Sequence, residues 1–155
     1  MVSWDEFENT EPGFAGRVRE LFDAGRHKTI ATLRADGSPR ISGIECEFRD
    51  GELRFASMAD ARKLSDLTRD PRFALHGPPS HPEAGKESEW PGEAKISGRA
   101  VMVDTASIAG GEPTDGEAFH ADILEVVITG LNADATKLVV ESWTTQRGFR
   151  RIERE

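Results

Sequence analysis

The chain has 155 residues, of which 37% are hydrophobic and 31% are charged, a balance typical of a soluble globular protein. This length predicts a single domain over residues 1–155. No apolar run approaches the roughly 20 residues of a membrane-spanning helix, and the N-terminus lacks the basic and apolar regions of a signal peptide. The net charge of −8 disfavours nucleic acid as a partner. Cys46 is the only cysteine, which excludes an internal disulfide and favours the cytoplasm.

The N-terminal quarter predicts an arm followed by a helix. Residues 1–13 are predicted to be an arm that ends at Pro12-Gly13. The apolar residues that follow recur at the spacing of an amphipathic helix packed on a sheet, with Gly25 as its stop. They are Phe14, Val18, Leu21 and Phe22.

Alternating or β-branched patterns predict strands over much of the remaining chain. The predicted strands are residues 29–33, 39–48, 52–57, 72–76, 93–103, 121–130 and 137–143. Turn signals at Asp36-Gly37 and Asp50-Gly51 predict that the first three form an antiparallel meander, and Gly98 predicts a bulge. We therefore predict a mainly β fold, a small β-barrel of six to seven antiparallel strands with flanking helices.

Three segments are predicted to lie outside the strands. Residues 77–92 contain four prolines and predict a long loop without regular structure, either a lid or an insertion. Residues 104–119 are predicted to be irregular, and residues 144–155 form a tail dense in charge.

The stretch 56–63 predicts an anion site. It leaves a strand and enters a helix predicted at about residues 60–68, with Asp60 as its N-cap. Arg62 and Lys63 then fall in the first turn, beside backbone N–H groups that attract anions such as phosphate. The alternative is that both side chains are solvated surface charges.

Protein side chains alone supply little catalytic chemistry in this sequence. The four histidines are scattered, which argues against a metal site, and Cys46 is predicted to be a buried core thiol. The sequence has no Gly-x-Ser-x-Gly, P-loop or Gly-x-Gly-x-x-Gly motif. No catalytic side chain is predicted, so an enzyme of this sequence would rely on a cofactor.

The order of several short motifs resembles the pyridoxamine 5′-phosphate oxidase-like family of flavin proteins. The resemblance spans about residues 27–154. The motifs are Asp36-Gly37-Ser38-Pro39, Ala61-Arg62-Lys63, Asp70-Pro71-Arg72, residues 92–100, Glu141-Ser142-Trp143 and Arg151-Ile152.

The resemblance implies a split β-barrel that forms a homodimer and holds FMN at the dimer interface. Arg62 and Lys63 would bind the FMN phosphate. The backbone of residues 42–45 would line the isoalloxazine ring, and Ser57 and Ala61 would lie near the phosphate. Lys95 and Trp143 would complete the site from the partner subunit. The predicted cofactor-binding positions besides Arg62 and Lys63 are therefore Ser42, Gly43, Ile44, Glu45, Ala56, Ser57, Ala61, Lys95 and Trp143. The alternative roles are a surface lysine for Lys95 and a barrel-closing aromatic for Trp143.

Departures from the family pattern argue against pyridoxamine phosphate, the vitamin substrate of the oxidase, as the substrate here. Ala61 replaces a serine that contacts the phosphate, and Glu47 stands where the oxidase has a second basic ligand. The family's C-terminal motif is reduced to residues 151–154. The resemblance therefore implies that the residues for pyridoxamine phosphate are missing.

We expect an FMN-dependent oxidoreductase that moves a hydride or electrons between a reduced cofactor and a small substrate. A reductase that uses the 8-hydroxy-5-deazaflavin coenzyme is an alternative on the same fold. Its acidic tail would require further cations, which Arg17, Arg19, Arg26 and Lys28 could supply. A non-catalytic flavin-binding protein is a third hypothesis, from a different class.

Overall fold

The computed structural model describes residues 1–103 and 116–155. Within these ranges the helices are α1 (Trp4–Thr10), α2 (Pro12–Asp23) and α3 (Arg62–Arg69), and a 3-10 turn covers Glu87–Glu89. The strands are β1 (Lys28–Leu33), β2 (Pro39–Ile44), β3 (Cys46–Arg49), β4 (Glu52–Ser57), β5 (Arg72–His76), β6 (Glu93–Val103), β7 (Glu117–Leu131), β8 (Leu138–Thr144) and β9 (Gly148–Arg154). Most of the segment predicted to be irregular, residues 104–115, lies outside the described residues.

The strands form one antiparallel sheet in the order β2-β1-β5-β6-β7-β4-β3, with β8 paired to β7 and β9 paired to β8. The two ends of this path, β2 and β3, are consecutive in sequence and are joined through Glu45. The chain itself therefore closes the sheet into a barrel, which confirms the predicted mainly β barrel with flanking helices.

The predicted meander is wrong at its middle strand, because residues 39–48 form two strands and not one. β2 pairs with β1, whereas β3 pairs with β4 at the other end of the path. Glu45 lies at the break, exposed and paired with Arg26 at 2.8 Å. An alternating pattern does not reveal that the two halves of a run pair with different partners.

Both predicted hairpin turns are present. Asp50 and Gly51 have φ angles of 52° and 75°, the left-handed pair that a tight hairpin turn requires. Gly37 also has a positive φ, of 84°. The Asp-Gly signals therefore identified the turns correctly, although they did not show where each hairpin sits in the sheet.

The predicted bulge near Gly98 is also present, on the partner strand. Ser97 pairs with Glu125 but Gly98 pairs with Ile123, so Leu124 is the extra residue. A Cβ atom on Gly98 would collide with the carbonyl oxygen of Asp122. Only glycine at this position therefore allows the backbones of β6 and β7 to approach this closely.

The predicted N-terminal arm is a packed helix, α1. Ser3 and Glu6 form a capping box, in which the Ser3 amide donates to Glu6 at 2.7 Å and the Glu6 amide donates to the Ser3 hydroxyl at 3.2 Å. Trp4 and Phe7 are buried, and the Trp4 ring lies 4.4 Å from that of Phe48. The N-terminus therefore contributes aromatic side chains to the core.

Two further segments are more ordered than the sequence predicts. The charged tail contains β9, which pairs with β8 and places Phe149 opposite Trp143. The proline-rich loop contains the 3-10 turn, and the Trp90 indole donates to the Ser80 hydroxyl at 2.9 Å. With β9, and with β2 separate from β3, the described residues form nine strands and not the six to seven predicted.

No helix in these residues combines the length and hydrophobicity of a membrane span.

Candidate functional site

A cavity of about 510 Å³ lies where the chain crosses from β2 to β3, beside the start of α3. We call it the α3 cleft. Its volume falls within the roughly 300–1,000 Å³ of small-molecule sites. Its lining residues are His27, Gly43, Ile44, Glu45, Ala56, Met58 and Lys63.

Predicted cofactor residues from separate segments line the α3 cleft together. Gly43, Ile44 and Glu45 come from the end of β2 and the β2–β3 break. Ala56 lies near the end of β4, which leads into α3, and Lys63 lies in the first turn of α3. The split between the two hairpins is what brings these segments to one place.

Other predicted residues are sequence neighbours of the lining residues. Ser42 is half-buried on β2, and Arg62 is exposed beside Lys63. Ser57 is buried, and its hydroxyl donates to the Met58 carbonyl at 3.4 Å. This long hydrogen bond leaves the Ser57 hydroxyl weakly engaged within the chain.

The helix α3 begins two residues later than the predicted start near residue 60. Its N-cap is Ala61, in extended conformation with φ −72° and ψ 135°, and not Asp60. Among the described residues no side chain caps this helix end. The first-turn N–H groups therefore lack a side-chain acceptor, and Lys63 adds a positive charge next to them, an arrangement that suits an anion.

Asp66 attaches α3 to the barrel wall. Its carboxylate is buried and accepts hydrogen bonds from Thr32 at 2.8 Å, Arg40 at 2.7 Å and Arg69 at 3.1 Å. Burial alone would raise the pKa of Asp66, but the hydrogen bonds from Arg40, Thr32 and Arg69 outweigh it and lower that pKa. The carboxylate therefore stays ionised and holds the middle of α3 against β1 and β2.

Two predicted residues lie away from the α3 cleft. Lys95 is exposed on β6, opposite His76 on β5. Trp143 is 5% exposed, and its ring lies 4.8 Å from that of Phe7 within the core. This position matches the alternative role of a barrel-closing aromatic and leaves little of Trp143 available to a ligand.

Two lining residues, His27 and Met58, are not predicted from the sequence. Met58 is 80% exposed at the end of β4, and nothing in its sequence context distinguishes it. His27 does have a signal, because it lies in the basic triplet Arg26-His27-Lys28 immediately before a strand.

A neighbouring cavity of about 280 Å³ shares Glu45 and Ala56 with the α3 cleft. We call it the charged cavity, because its lining includes Arg26, Lys28 and Glu47. Cys46 also lines it, less buried than predicted, and burial raises the pKa of its thiol to about 11. Cys46 is therefore a neutral thiol at physiological pH, which argues against a nucleophilic role.

A strong ion pair connects α2 to β8 on another side of the barrel. Arg17 donates to both carboxylate oxygens of Glu141, at 2.8 and 2.7 Å. The hydrogen bond from Arg17 lowers the pKa of Glu141, which is half-buried. Glu141 of the Glu-Ser-Trp motif thus has a partner within its own chain.

Among the described residues no three His, Cys, Asp or Glu side chains form a group that could hold a metal.

Solved structures share this fold at low sequence identity. A pyridoxamine 5′-phosphate oxidase-related, FMN-binding protein from Nostoc punctiforme is 12% identical, with a TM-score of 0.64 over 94% of this chain and 96% of that chain. PhzG from Burkholderia lata, in complex with tetrahydrophenazine-1-carboxylic acid, is 13% identical, with a TM-score of 0.61 over 93% and 87%. HutZ, a haem storage protein from Vibrio cholerae, is 17% identical, with a TM-score of 0.57 over 77% and 94%. At these identities the likeness establishes the fold alone.

The sequence itself assigns the family. No curated protein matches the chain significantly. The sequence profile of the pyridoxamine 5′-phosphate oxidase family, however, matches residues 14–126, more than two thirds of the 155 residues. The chain therefore belongs to the pyridoxamine 5′-phosphate oxidase family.

Proposed function

We propose that the protein binds FMN in the α3 cleft and acts as a flavin-dependent oxidoreductase on a small substrate. The observation that supports this most is the convergence of Gly43–Glu45, Ala56 and Lys63 on one cleft at an uncapped helix start. The family assignment and the FMN-binding description of the Nostoc protein are consistent with it.

The donors at the start of α3 fit a phosphate group. The first-turn N–H groups lack a side-chain acceptor, Lys63 lines the cleft, and Arg62 is exposed next to it. A phosphate dianion would offset the unfavourable placement of two cations at the positive end of a helix dipole. Arg62 and Lys63 would therefore hold the phosphate end of FMN, with Ser57 and Ala61 beside them.

The remaining cleft residues would position the ring end of the cofactor. The backbone at residues 42–45 supplies polar groups at the edge of β2, and Ala56 and Met58 supply apolar surface. When bound, FMN supplies the reversible two-electron redox chemistry that the side chains themselves lack. The protein's own part is then to bind, orient and shield the reacting groups.

The outer surface of the barrel supports the homodimer that we propose. Ile41, Ala31, Ala74 and Ser97 are aligned in register across β2, β1, β5 and β6, where they form an uncharged row of mostly small side chains. Ile41 projects from this row and is 75% exposed. We infer that a second copy of the chain covers this row, and Lys95 lies beside it, one register row further along β6.

We rank the deazaflavin alternative second because three of the four cations suggested for its tail are already in ion pairs, Lys28 being the exception among the described residues. Arg17 is paired with Glu141, Arg19 with Asp23 and Arg26 with Glu45. A coenzyme with a longer acidic tail would have to compete with these carboxylates for the same cations. The non-catalytic alternative has one supporting observation, that a haem storage protein shares the fold.

The cofactor that copurifies with the protein tests this proposal. We expect a yellow protein whose released ligand has the mass of FMN, and whose flavin absorbance is bleached by a reduced pyridine nucleotide under anaerobic conditions. Binding of the deazaflavin coenzyme without FMN would reverse the ranking. Bound flavin that no reduced pyridine nucleotide bleaches would favour the non-catalytic alternative.

A further inference from the structure

Lys28 is a buried cation at the end of the barrel. Its side chain lies on the inward face of β1 together with Ile30 and Thr32, and the residue is 6% exposed. Lysine is almost never buried to this degree without a partner. Lys28 also lines the charged cavity, next to the α3 cleft.

The protein satisfies the Lys28 ammonium group poorly. Nζ donates to the carbonyl oxygen of Arg26 at 3.3 Å and to that of Cys46 at 3.5 Å. Hydrogen bonds from nitrogen to oxygen are normally about 2.7–3.2 Å long, and an ammonium group has three donors. No carboxylate of residues 1–103 or 116–155 forms an ion pair with Lys28. At least one donor is therefore available to a ligand.

The other charged residues of this cavity are already matched. Arg26 pairs with Glu45 at 2.8 Å, and Arg54 pairs with Glu52 at 2.8 Å. Glu47 lies 3.7 Å from Arg49. Lys28 is thus the cation whose charge remains to be neutralised in this part of the described structure.

The size of the charged cavity and its other lining residues limit which ligands could neutralise the charge of Lys28. Its volume of about 280 Å³ lies at the lower end of small-molecule sites, roughly 300–1,000 Å³, which favours a small ligand. Phe55, Ala56 and Ala118 also line it. A single unmatched ammonium group balances a monoanion, whereas a phosphate ester would bring a second negative charge next to Glu45 and Glu47.

We propose that the charged cavity binds the carboxylate group of a small organic acid, with Lys28 as its anchor, and that this acid is the substrate presented to the α3 cleft. The assignment as substrate depends on the proposed FMN function, whereas the carboxylate site itself does not. The two cavities share Glu45 and Ala56, so a molecule anchored at Lys28 extends toward the cleft.

Calorimetric titration of the purified, FMN-loaded protein tests the site. The probes are acetate, isobutyrate and benzoate, each with its neutral amide, and phenyl phosphate. We expect at least one carboxylate to bind about tenfold or more tightly than its amide, the preference of a charge-assisted hydrogen bond. Equal binding of acid and amide, no binding of any acid, or tighter binding of phenyl phosphate would each overturn the proposal.

Variants at Lys28 identify the anchor. Lys28→Met should lower the carboxylate affinity about tenfold or more, and Lys28→Arg should retain most of it. Lys86→Met removes an exposed charge elsewhere and should have no effect. Unchanged carboxylate affinity in folded Lys28→Met would contradict the assignment. The comparison of acid with amide in the unmodified protein tests the site even if this variant fails to fold.

The FMN dissociation constant separates this proposal from the proposed function. Lys28 does not line the α3 cleft, so Lys28→Met should leave FMN affinity within about twofold. If the protein binds no FMN, the same titrations on the flavin-free protein still test the carboxylate site. Carboxylate binding there, lost in Lys28→Met, would support the site and refute the flavin function alone.

Discussion

Asp66 joins α3 to the barrel wall beside the α3 cleft. Three donors converge on its buried carboxylate, from β1, from β2 and from α3 itself. Because Lys63 is three residues earlier on the same helix, a shift of α3 would displace the proposed phosphate site. A residue that contacts no ligand thus maintains the geometry of the site.

The substitution Asp66→Asn tests this role. It leaves Arg40 and Arg69 without a carboxylate and should lower the free energy of unfolding by about 2–3 kcal/mol. Urea denaturation measures the change. Asp60→Asn is the matched control, since Asp60 is exposed and does not cap α3, and it should cost less than about 0.5 kcal/mol. Equal losses in the two variants would refute the role of Asp66.

The lowered pKa of Asp66 predicts how its contribution depends on pH. Its folded-state pKa lies below the ordinary value of 3.8, so the unfolded chain takes up the proton first as the pH falls. The stabilisation is fully present above about pH 4 and is lost as the pH falls through the folded-state pKa. The stability difference between the unmodified protein and Asp66→Asn should therefore shrink below pH 4, as followed by urea denaturation at several pH values. A constant difference would contradict the pKa direction.

At the residue scale, local sequence located the start of α3 and its two cations, and the anion site there stays a prediction. Arg62 and Lys63 at a helix start indicated an anion site, and Lys63 lines the α3 cleft. Trp143 shows the limit, because an aromatic residue of a strand has the same local pattern whether it faces a ligand or the core. Asp66 was not identified at all, since its partners at positions 32 and 40 are distant in sequence.

At the element scale, the break between β2 and β3 creates the site. The run 39–48 has strand character throughout, but its two halves pair at opposite ends of the sheet. This choice depends on long-range pairing and is absent from the local pattern. The α3 cleft lies at this break, so most of the residues that line it, though not His27 or Met58, were predicted through family resemblance and not through periodicity.

Two other elements were missed for different reasons. α1 had a recognisable signal, the capping box Ser3–Glu6 followed by Phe7, which the nearby Pro12-Gly13 obscured. β9 is an edge strand whose charged residues, among them Arg150 and Arg151, conceal its alternation. Edge strands commonly carry such charges, which discourage pairing with other chains.

The bulge between β6 and β7 makes a prediction about these strands. In Gly98→Ala the new methyl group would collide with the Asp122 carbonyl oxygen, and we expect a loss of about 2 kcal/mol or more. Gly16→Ala in α2 is the control, because its Cβ meets nothing within 4 Å, and it should stabilise the protein by about 0.5–1 kcal/mol. Thermal unfolding of both variants measures these changes. A neutral Gly98→Ala would mean that the strands can separate at the bulge.

At the scale of the whole molecule, the proposed homodimer predicts a particle mass of twice the 17.0 kDa chain. Light scattering coupled to size exclusion measures this mass. Ile41→Glu would place a charge on the uncharged row of β2, β1, β5 and β6 and should yield monomers, whereas Ile41→Val should remain dimeric. A monomeric unmodified protein, or a dimer unaffected by Ile41→Glu, would contradict the proposed interface.

The central claim, that the α3 cleft binds FMN by its phosphate, is tested most directly by the FMN dissociation constant of the double variant Arg62→Ala/Lys63→Ala. Loss of two charge-assisted contacts should weaken binding by about 100-fold or more, with the fold unchanged by circular dichroism. The control Arg34→Ala/Lys86→Ala removes two exposed cations elsewhere and should retain full affinity. An unchanged dissociation constant in the first variant would show that the phosphate binds elsewhere or that FMN is not the ligand.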